Sequence, residues 1–155
     1  MNATPRESVH SEPVWRDRSD FIIGADLPEE GCTEQLWARQ IDDRLFEVCC
    51  IPFFLYDVAL GDVVETDDSY SVVRVVEPSG HHVFRAYFDP PYLRRKQIVE
   101  HLTVLAALLE WSSASMISID ALDLEHARQI AAYLQQREDR GDLVFETGGS
   151  DDGGG

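Results

Sequence analysis

The hydrophobic periodicity of the chain changes near residue 89, and this change limits the possible folds more than any other feature. Before it, apolar and polar residues alternate with the period of two that a half-buried strand requires, as at residues 44–50. After it, two segments carry apolar residues at helical spacing. These positions are Ile98, Leu102, Leu105 and Leu109 in the first segment, and Ala127, Ile130, Ala131 and Leu134 in the second. The sequence therefore predicts an α+β fold in which strands precede helices.

The first half of the chain predicts an antiparallel, barrel-like sheet. Pro52 ends one of its strands because proline has no N–H to donate to a ladder. Gly61 and Asp62 are typical turn residues, and residues 78–80 are typical of a hairpin loop. The strands are expected at residues 20–27, 34–40, 44–50, 62–66, 69–77 and 81–88.

The second half predicts a β-α-β-α-β layer with two helices. Asp89 is placed to cap the first helix, with Pro90 at its first position. Asp123 is placed to cap the second helix, and Gly141 is a typical residue just past a helix end. Two further short strands are expected, a buried one at residues 116–120 and a last one at residues 143–146.

The chain predicts one folded domain with an extension at each end. Residues 1–18 are polar, contain two prolines and show no periodicity, so we expect a flexible N-terminal arm, in which Val14 and Trp15 are the residues that could dock on the domain. Residues 19–146 carry the periodic segments and form the single α+β domain. Residues 147–155 are rich in glycine and aspartate, so we expect a disordered tail.

The net charge of −16, from 13 basic and 29 acidic residues, narrows the classes of partner. Such a surface repels phosphate backbones and anionic lipids, which disfavours nucleic acid and membrane surfaces and favours a basic protein. No apolar run approaches the roughly 20 residues of a membrane span. The N-terminus does not resemble a secretory signal, and three cysteines fit reduced thiols, so we expect a cytoplasmic protein. Twelve of the 13 basic residues are arginine, as is typical of high-GC bacteria.

Three segments of the chain are similar to one bacterial family. They are IPFF at residues 51–54, ALGDVVE at 59–65 and RVVEPSGHHVFR at 74–85, in this order. They resemble the domain-of-unknown-function family 4265, and Trp37 and the segment LLEWSSASMISIDAL fit the same pattern. The resemblance spans about residues 20–146. It implies a family but no activity.

Cys49 and Cys50 depart from the family pattern, which usually has polar or acidic residues before Ile51. Strand alternation sends their side chains to opposite faces, so the two thiols do not converge on one ligand. Their neighbours are apolar or acidic, and such surroundings raise the pKa of a thiol. We therefore expect both residues to serve packing.

The sequence predicts no catalytic residue, and His81 is the one candidate for such a role, because it matches the Ser-Gly-His turn of the family. The favoured role of His81 is to order the turn through a hydrogen bond. A triad of Cys49, His81 and Asp62 has no support from the spacing, because a triad is defined by geometry. A zinc site from His81, His82 and Cys32 lacks the usual ligand spacing. The sequence therefore predicts no metal and no cofactor.

Five carboxylates without an intervening base form the sharpest charge feature, within 12 residues of the chain. They are Asp57, Asp62, Glu65, Asp67 and Asp68. One interpretation is a docking patch for a basic partner, since complementary charge speeds association. The other is a solvated turn and edge that discourages pairing between strands of different molecules.

Three functions remain open at this point. The charge and the scarcity of catalytic motifs favour a non-enzymatic acidic module that binds, regulates or inhibits a basic protein in the manner of an immunity protein. The alternatives are a small enzyme that uses His81 with a cysteine or a carboxylate, and a domain that senses a small molecule.

Overall fold

The computed structural model describes residues 6–149, and these residues form two helices and ten strands in two sheets. Sheet A contains β1 (Arg6–Ser8), β2 (Phe21–Leu27), β3 (Cys32–Asp42), β4 (Leu45–Val48), β5 (Val63–Thr66) and β6 (Val72–Glu77). Sheet B contains β7 (His82–Tyr87), β8 (Leu108–Trp111), β9 (Met116–Ala121) and β10 (Val144–Thr147). The helices are α1 (Arg95–Val104) and α2 (Leu124–Asp139). The predicted α+β class is confirmed.

Sheet A is built around the long strand β3. β2 pairs along one side of β3, while β1 and β4 share the other side, and β5 and β6 follow β4. All pairs are antiparallel except β1 with β3. One parallel bridge between Gly24 and Ser71 brings β2 close to β6, so the sheet curls. Within residues 6–149 it does not close into a continuous barrel.

Sheet B has the antiparallel order β10-β7-β9-β8, one strand more than predicted. With its helices it forms the β-α-β-β-α-β arrangement of ferredoxin-like folds. The added strand contains Leu109, which we predicted to lie on the first helix. The helix ends earlier, because Ala106 adopts a left-handed φ of 66°. Leu109 still packs against the buried cluster beneath the helices, so its apolar character fits either element.

The first helix also begins later than predicted, at Arg95 instead of Pro90. Pro90 is followed by Pro91, and a residue that precedes proline is disfavoured in the α region. The second helix begins as predicted, since the Asp123 side chain accepts a hydrogen bond from the His126 N–H at 2.8 Å.

The apolar core has two main parts, and neither includes the polar residues that join the sheets. One part lies between sheet B and the helices, and the other lies inside the curl of sheet A. Buried members include Phe84, Ile119, Ile130 and Leu134 in the first part, and Ile23, Leu36 and Phe46 in the second. Within residues 6–149, no helix combines the length and the apolar character that a membrane crossing needs.

The second face of sheet B, opposite the helices, carries buried polar side chains and joins sheet B to sheet A. These polar side chains are Arg85, Glu110, Ser118 and Asp120, and the apolar Val83 on the same face packs with Ile51 and Ala59. Ser118 Oγ donates to the Ile51 carbonyl at 3.1 Å, and Arg85 Nη2 donates to the Leu55 carbonyl at 2.6 Å. The segment that contains IPFF therefore lies between the two sheets, and its carbonyl groups accept hydrogen bonds from sheet B.

Residues 6–18 are not the flexible arm that the sequence predicts. They form a strap, hereafter the N-terminal strap, that runs from sheet A to sheet B. β1 pairs with β3, and His10 is only 2% exposed. The N-terminal strap was not predicted because anchoring residues such as His10 are polar and follow neither the strand period nor the helix period. Residues 1–5, the rest of the predicted arm, lie outside the described residues.

The start of the predicted tail also belongs to the fold. Thr147 ends β10, and the Gly148 N–H donates to the Val83 carbonyl at 2.7 Å. A Cβ on Gly148 would lie 2.8 Å from the Cβ of Val83, so glycine permits this close approach. The remaining tail residues, 150–155, lie outside the described residues.

Candidate functional site

The strongest candidate site is a cavity of about 440 Å³ where the loop before β5 meets the start of β7 and the end of β10. Its wall consists of residues 57–59 and Asp62, the β6–β7 connection, the start of β7, and residues 147–149. This volume falls in the range of roughly 300–1,000 Å³ that small-molecule sites occupy. His81 lines the cavity.

His81 forms a hydrogen-bonded pair with Asp120, which lies on β9. The His81 Nδ1 is 2.8 Å from Asp120 Oδ1, and the two side chains are 12% and 3% exposed. Burial raises the pKa of Asp120, and the hydrogen bond with His81 opposes that shift. An aspartate oxygen accepts from Nδ1–H, so a neutral His81 keeps the lone pair of Nε2 for another proton.

The hairpin that we predicted at residues 78–80 is wrong, because β6 belongs to sheet A and β7 to sheet B, and these two strands do not pair. Residues 78–81 instead form the β6–β7 connection between the sheets. Asp62 accepts from the Ala59 N–H at 2.9 Å and from the Ser79 N–H at 2.8 Å. Ser79 Oγ donates to the Leu60 carbonyl at 2.7 Å and accepts from the His81 N–H at 3.1 Å. Asp62 is therefore a turn-forming residue, and the backbone of the β6–β7 connection holds the position of the His81 ring.

The five predicted acids do not form one patch. Asp57 and Asp62 lie at the cavity, whereas the other three lie at the opposite end of β5. Glu65 pairs with Arg74 at 2.9 Å, and Asp68 pairs with Arg44 at 2.8 Å.

Asp67 is also bound locally, because its side chain accepts from the Ser69 and Ser71 N–H groups at 2.9 and 3.0 Å. Arg44 belongs to the β3–β4 turn, so this turn lies beside the β5–β6 turn. Asp42 and Asp43 on the β3–β4 turn thus join Glu65, Asp67 and Asp68 at one end of sheet A.

The cysteines are buried and do not contribute to the cavity. Cys49 and Cys50 are both 0% exposed. Burial raises the pKa of the Cys49 thiol to about 12 and also raises that of Cys50. Because His81 pairs with Asp120 and Asp62 holds a turn, a triad of Cys49, His81 and Asp62 does not form. Within residues 6–149, no three histidine, cysteine or acidic side chains are arranged to hold a metal ion.

A second cluster of ionisable groups, centred on His10, lies buried between the sheets. His10 Nε2 is 2.7 Å from Glu34 on β3, and His10 Nδ1 is 2.7 Å from Glu110 on β8. The imidazole stacks on Phe53 with 4.0 Å between the ring centroids. His10 thus connects one strand of each sheet, and the three ionisable residues are at most 3% exposed.

The two carboxyl groups of this cluster also hold the IPFF segment. Glu34 accepts from the N–H groups of Phe53, Phe54 and Leu55 at 2.7 to 3.0 Å. Glu110 accepts from the Ile51 N–H at 2.6 Å. Pro52 carries no N–H, so each residue from 51 to 55 that has a backbone N–H donates it to one of these two side chains.

Both ring nitrogens of His10 face carboxyl oxygens, which favours the doubly protonated imidazolium. Burial by itself would lower the pKa of His10, but Cys50, Glu110 and Glu34 outweigh it and raise the pKa well above 6.5. Because the pKa of Cys50 is itself raised, that thiol is neutral, and we assign the balancing charge to the carboxyl groups. Burial would raise the pKa of Glu34, but the hydrogen bonds from His10, Phe53 and Phe54 lower it.

We expect the free energy of unfolding to fall as the pH rises above about 6.5, because folded His10 retains a proton that the unfolded chain releases. The stability contributed by His10 is complete below the unfolded pKa and is lost as the pH rises through the raised folded pKa. Urea unfolding between about pH 6 and pH 7.5, below the ordinary cysteine pKa of about 8.5, measures this slope. The slope should be smaller in His10→Gln, and equal slopes would contradict the assignment.

Comparison with known proteins identifies the family of this chain. The model of the family "Domain of unknown function (DUF4265)" matches residues 34–145. The chain belongs to this family. The predicted resemblance is therefore confirmed, and DUF4265 assigns no activity. Two of the segments that carried the resemblance, 59–65 and 74–85, meet at the β6–β7 connection, which carries His81.

A solved structure shows the same fold as this DUF4265 protein. It is a hypothetical protein from Neisseria gonorrhoeae, with a TM-score of 0.67 and 16% sequence identity. The match covers 83% of this chain and 93% of that chain. None of the curated proteins that were compared matches the chain.

The sequence identified His81 but not Asp120, its partner. Asp120 lies 39 positions further along the chain, and the two meet because β7 pairs with β9. One signal was present: Asp120 is a charged residue within a strand that we expected to be buried. Such a residue needs a partner, and this requirement points to a functional or structural pair.

Proposed function

We propose that this protein binds a small molecule in the cavity at His81, and that His81 acts on the bound molecule as a general base. The observation that supports this proposal is the 2.8 Å contact between His81 Nδ1 and the buried Asp120, at the wall of a cavity of about 440 Å³. Asp120 fixes the ring orientation and stabilises the imidazolium that forms when His81 accepts a proton.

Hydrolysis of an ester illustrates the step. His81 Nε2 takes a proton from a water molecule, and the water oxygen bonds to the ester carbonyl carbon. The bond from that carbon to the leaving alkoxide or phenolate then breaks, which gives a carboxylic acid and an alcohol or phenol. The imidazolium returns its proton to the leaving group or to solvent. Asp120 remains ionised throughout.

Hydrolysis of p-nitrophenyl acetate tests this role without knowledge of the natural substrate. We expect the wild-type protein to exceed the same concentration of free imidazole, and His81→Gln to lose activity on the order of 10²-fold. Asp120→Asn should lose less. His101→Gln is the matched control, because His101 is exposed on α1 and stacks on Tyr133, away from the cavity. Equal rates for wild type and His81→Gln would refute the proposal.

A second function is favoured by the regrouped acids at one end of sheet A. Asp42, Asp43, Glu65, Asp67 and Asp68 lie there, and two of them form ion pairs with arginines, Asp68 with Arg44 and Glu65 with Arg74. The neighbouring Ile41 and Tyr70 are 46% and 37% exposed. We propose that this end binds a basic protein that also offers an apolar contact, and that the −16 charge speeds its approach.

Charge reversal at this end tests the second proposal. The double variant Asp42→Lys/Asp43→Lys should weaken capture of a partner from a bacterial lysate at low salt, and added salt should weaken the wild-type complex similarly. The control is Glu125→Lys/Glu138→Lys on α2, which changes the net charge by the same amount. If the Asp42→Lys/Asp43→Lys variant or added salt leaves capture unchanged, this surface does not bind the partner.

A further inference from the structure

The N-terminal strap brings Trp15 against the His81–Asp120 pair. We propose that Trp15 is a positioning residue for His81, so that the strap, which the sequence places outside the domain, belongs to the site. This inference rests on the proposed function of His81. It adds Trp15, which lies 66 positions before His81 in the chain. Within residues 6–149, Trp15 forms no hydrogen bond with Asp120.

The Trp15 ring lies against His81 and also against Gly61, which belongs to the turn before β5. The ring centroids of Trp15 and His81 are 5.9 Å apart at an interplanar angle of 86°, an edge-to-face geometry. The Trp15 ring also lies 3.3 Å from the position that a Cβ on Gly61 would occupy. Asp120 fixes one ring nitrogen of His81, whereas Trp15 restricts rotation of the ring about that hydrogen bond.

The strap holds Trp15 through contacts on both of its sides. The Trp15 N–H donates to the Cys49 carbonyl at 3.1 Å, and the Val14 N–H donates to Glu110 at 3.3 Å. Glu110 is also the carboxyl group that binds His10. On the C-terminal side of Trp15, Arg18 forms an ion pair with Glu47. The position of Trp15 therefore depends on the same buried carboxyl group that joins the sheets.

Two variants of Trp15 separate positioning from simple packing. We expect Trp15→Ala to reduce p-nitrophenyl acetate hydrolysis about 10-fold at saturating ester, with little change in KM, because ring orientation and not binding is lost. Trp15→Phe keeps an aromatic edge and should restore most of the rate. Trp111→Ala is the control, because Trp111 is a 40% exposed tryptophan that contacts Phe88 and Arg95.

NMR spectra of the histidine rings give a readout that does not depend on activity. The carbon-bound ring protons of His81 should shift in Trp15→Ala and return toward wild type in Trp15→Phe. If these resonances and the rate are unchanged in Trp15→Ala while His81→Gln is inactive, Trp15 has no positioning role. If His81→Gln is as active as wild type, the proposed function fails whatever the spectra show. A loss of rate that Trp15→Phe does not restore would also overturn the inference.

Discussion

His10→Ala is expected to lower the free energy of unfolding by about 3–5 kcal/mol, the cost of removing one partner from a buried ion pair. The substitution leaves the carboxyl groups of Glu34 and Glu110 buried without the imidazolium between them. It also removes the aromatic contact with Phe53. Urea denaturation followed by tryptophan fluorescence measures the change.

The matched control for this variant is His101→Ala. His101 is an exposed histidine whose ring stacks on Tyr133 with 3.9 Å between the centroids. Its loss should cost about 1 kcal/mol or less. A cost for His10→Ala as small as that of the control would show that the buried cluster does not hold the two sheets together.

Phe53→Ala is expected to cost about 3–5 kcal/mol, the range for truncation of a fully buried phenylalanine. Phe53 is 1% exposed and lies between the sheets, where its ring stacks on His10. The cavity left behind cannot collapse easily, because Glu34 and Glu110 hold the backbone on both sides.

The neighbouring residue gives the comparison for Phe53. Phe54 is only partly buried and meets Phe53 edge to face at 6.4 Å. Phe54→Ala should therefore cost less, about 1–2 kcal/mol. Equal costs, measured by the same denaturation, would contradict the view that Phe53 packs between the sheets and Phe54 lies at their margin.

The period of the sequence predicted most elements because local burial determined them. Residues 20–27, 62–66 and 116–120 are short segments rich in apolar residues, and each forms a strand within one or two residues of the prediction. Leu109 was assigned to the wrong element because a leucine that packs on the core satisfies both periods. The parallel strand β1 was missed because the sequence Arg-Glu-Ser has no apolar member to reveal it.

The candidate site was only half predictable, for a related physical reason. His81 stood out because it follows a glycine turn that could be compared with a family. Asp120 and His10 acquire their roles only through long-range pairing, which a single sequence does not encode locally. Burial of charged residues such as Glu34 and Glu110 runs against the usual partition of polar groups to the surface. The burial of Glu34 and Glu110 is explained only once the backbone N–H groups that donate to them are known.

The measurement that most directly tests this account is the tautomer of His81, obtained from nitrogen-15 NMR of the histidine rings at alkaline pH. The account predicts a proton on Nδ1, bound to Asp120, and an unprotonated Nε2 that is free to accept a proton. Asp120→Leu should abolish that preference. A proton on Nε2 in the wild-type protein would contradict the account, because His81 would then donate where a general base must accept.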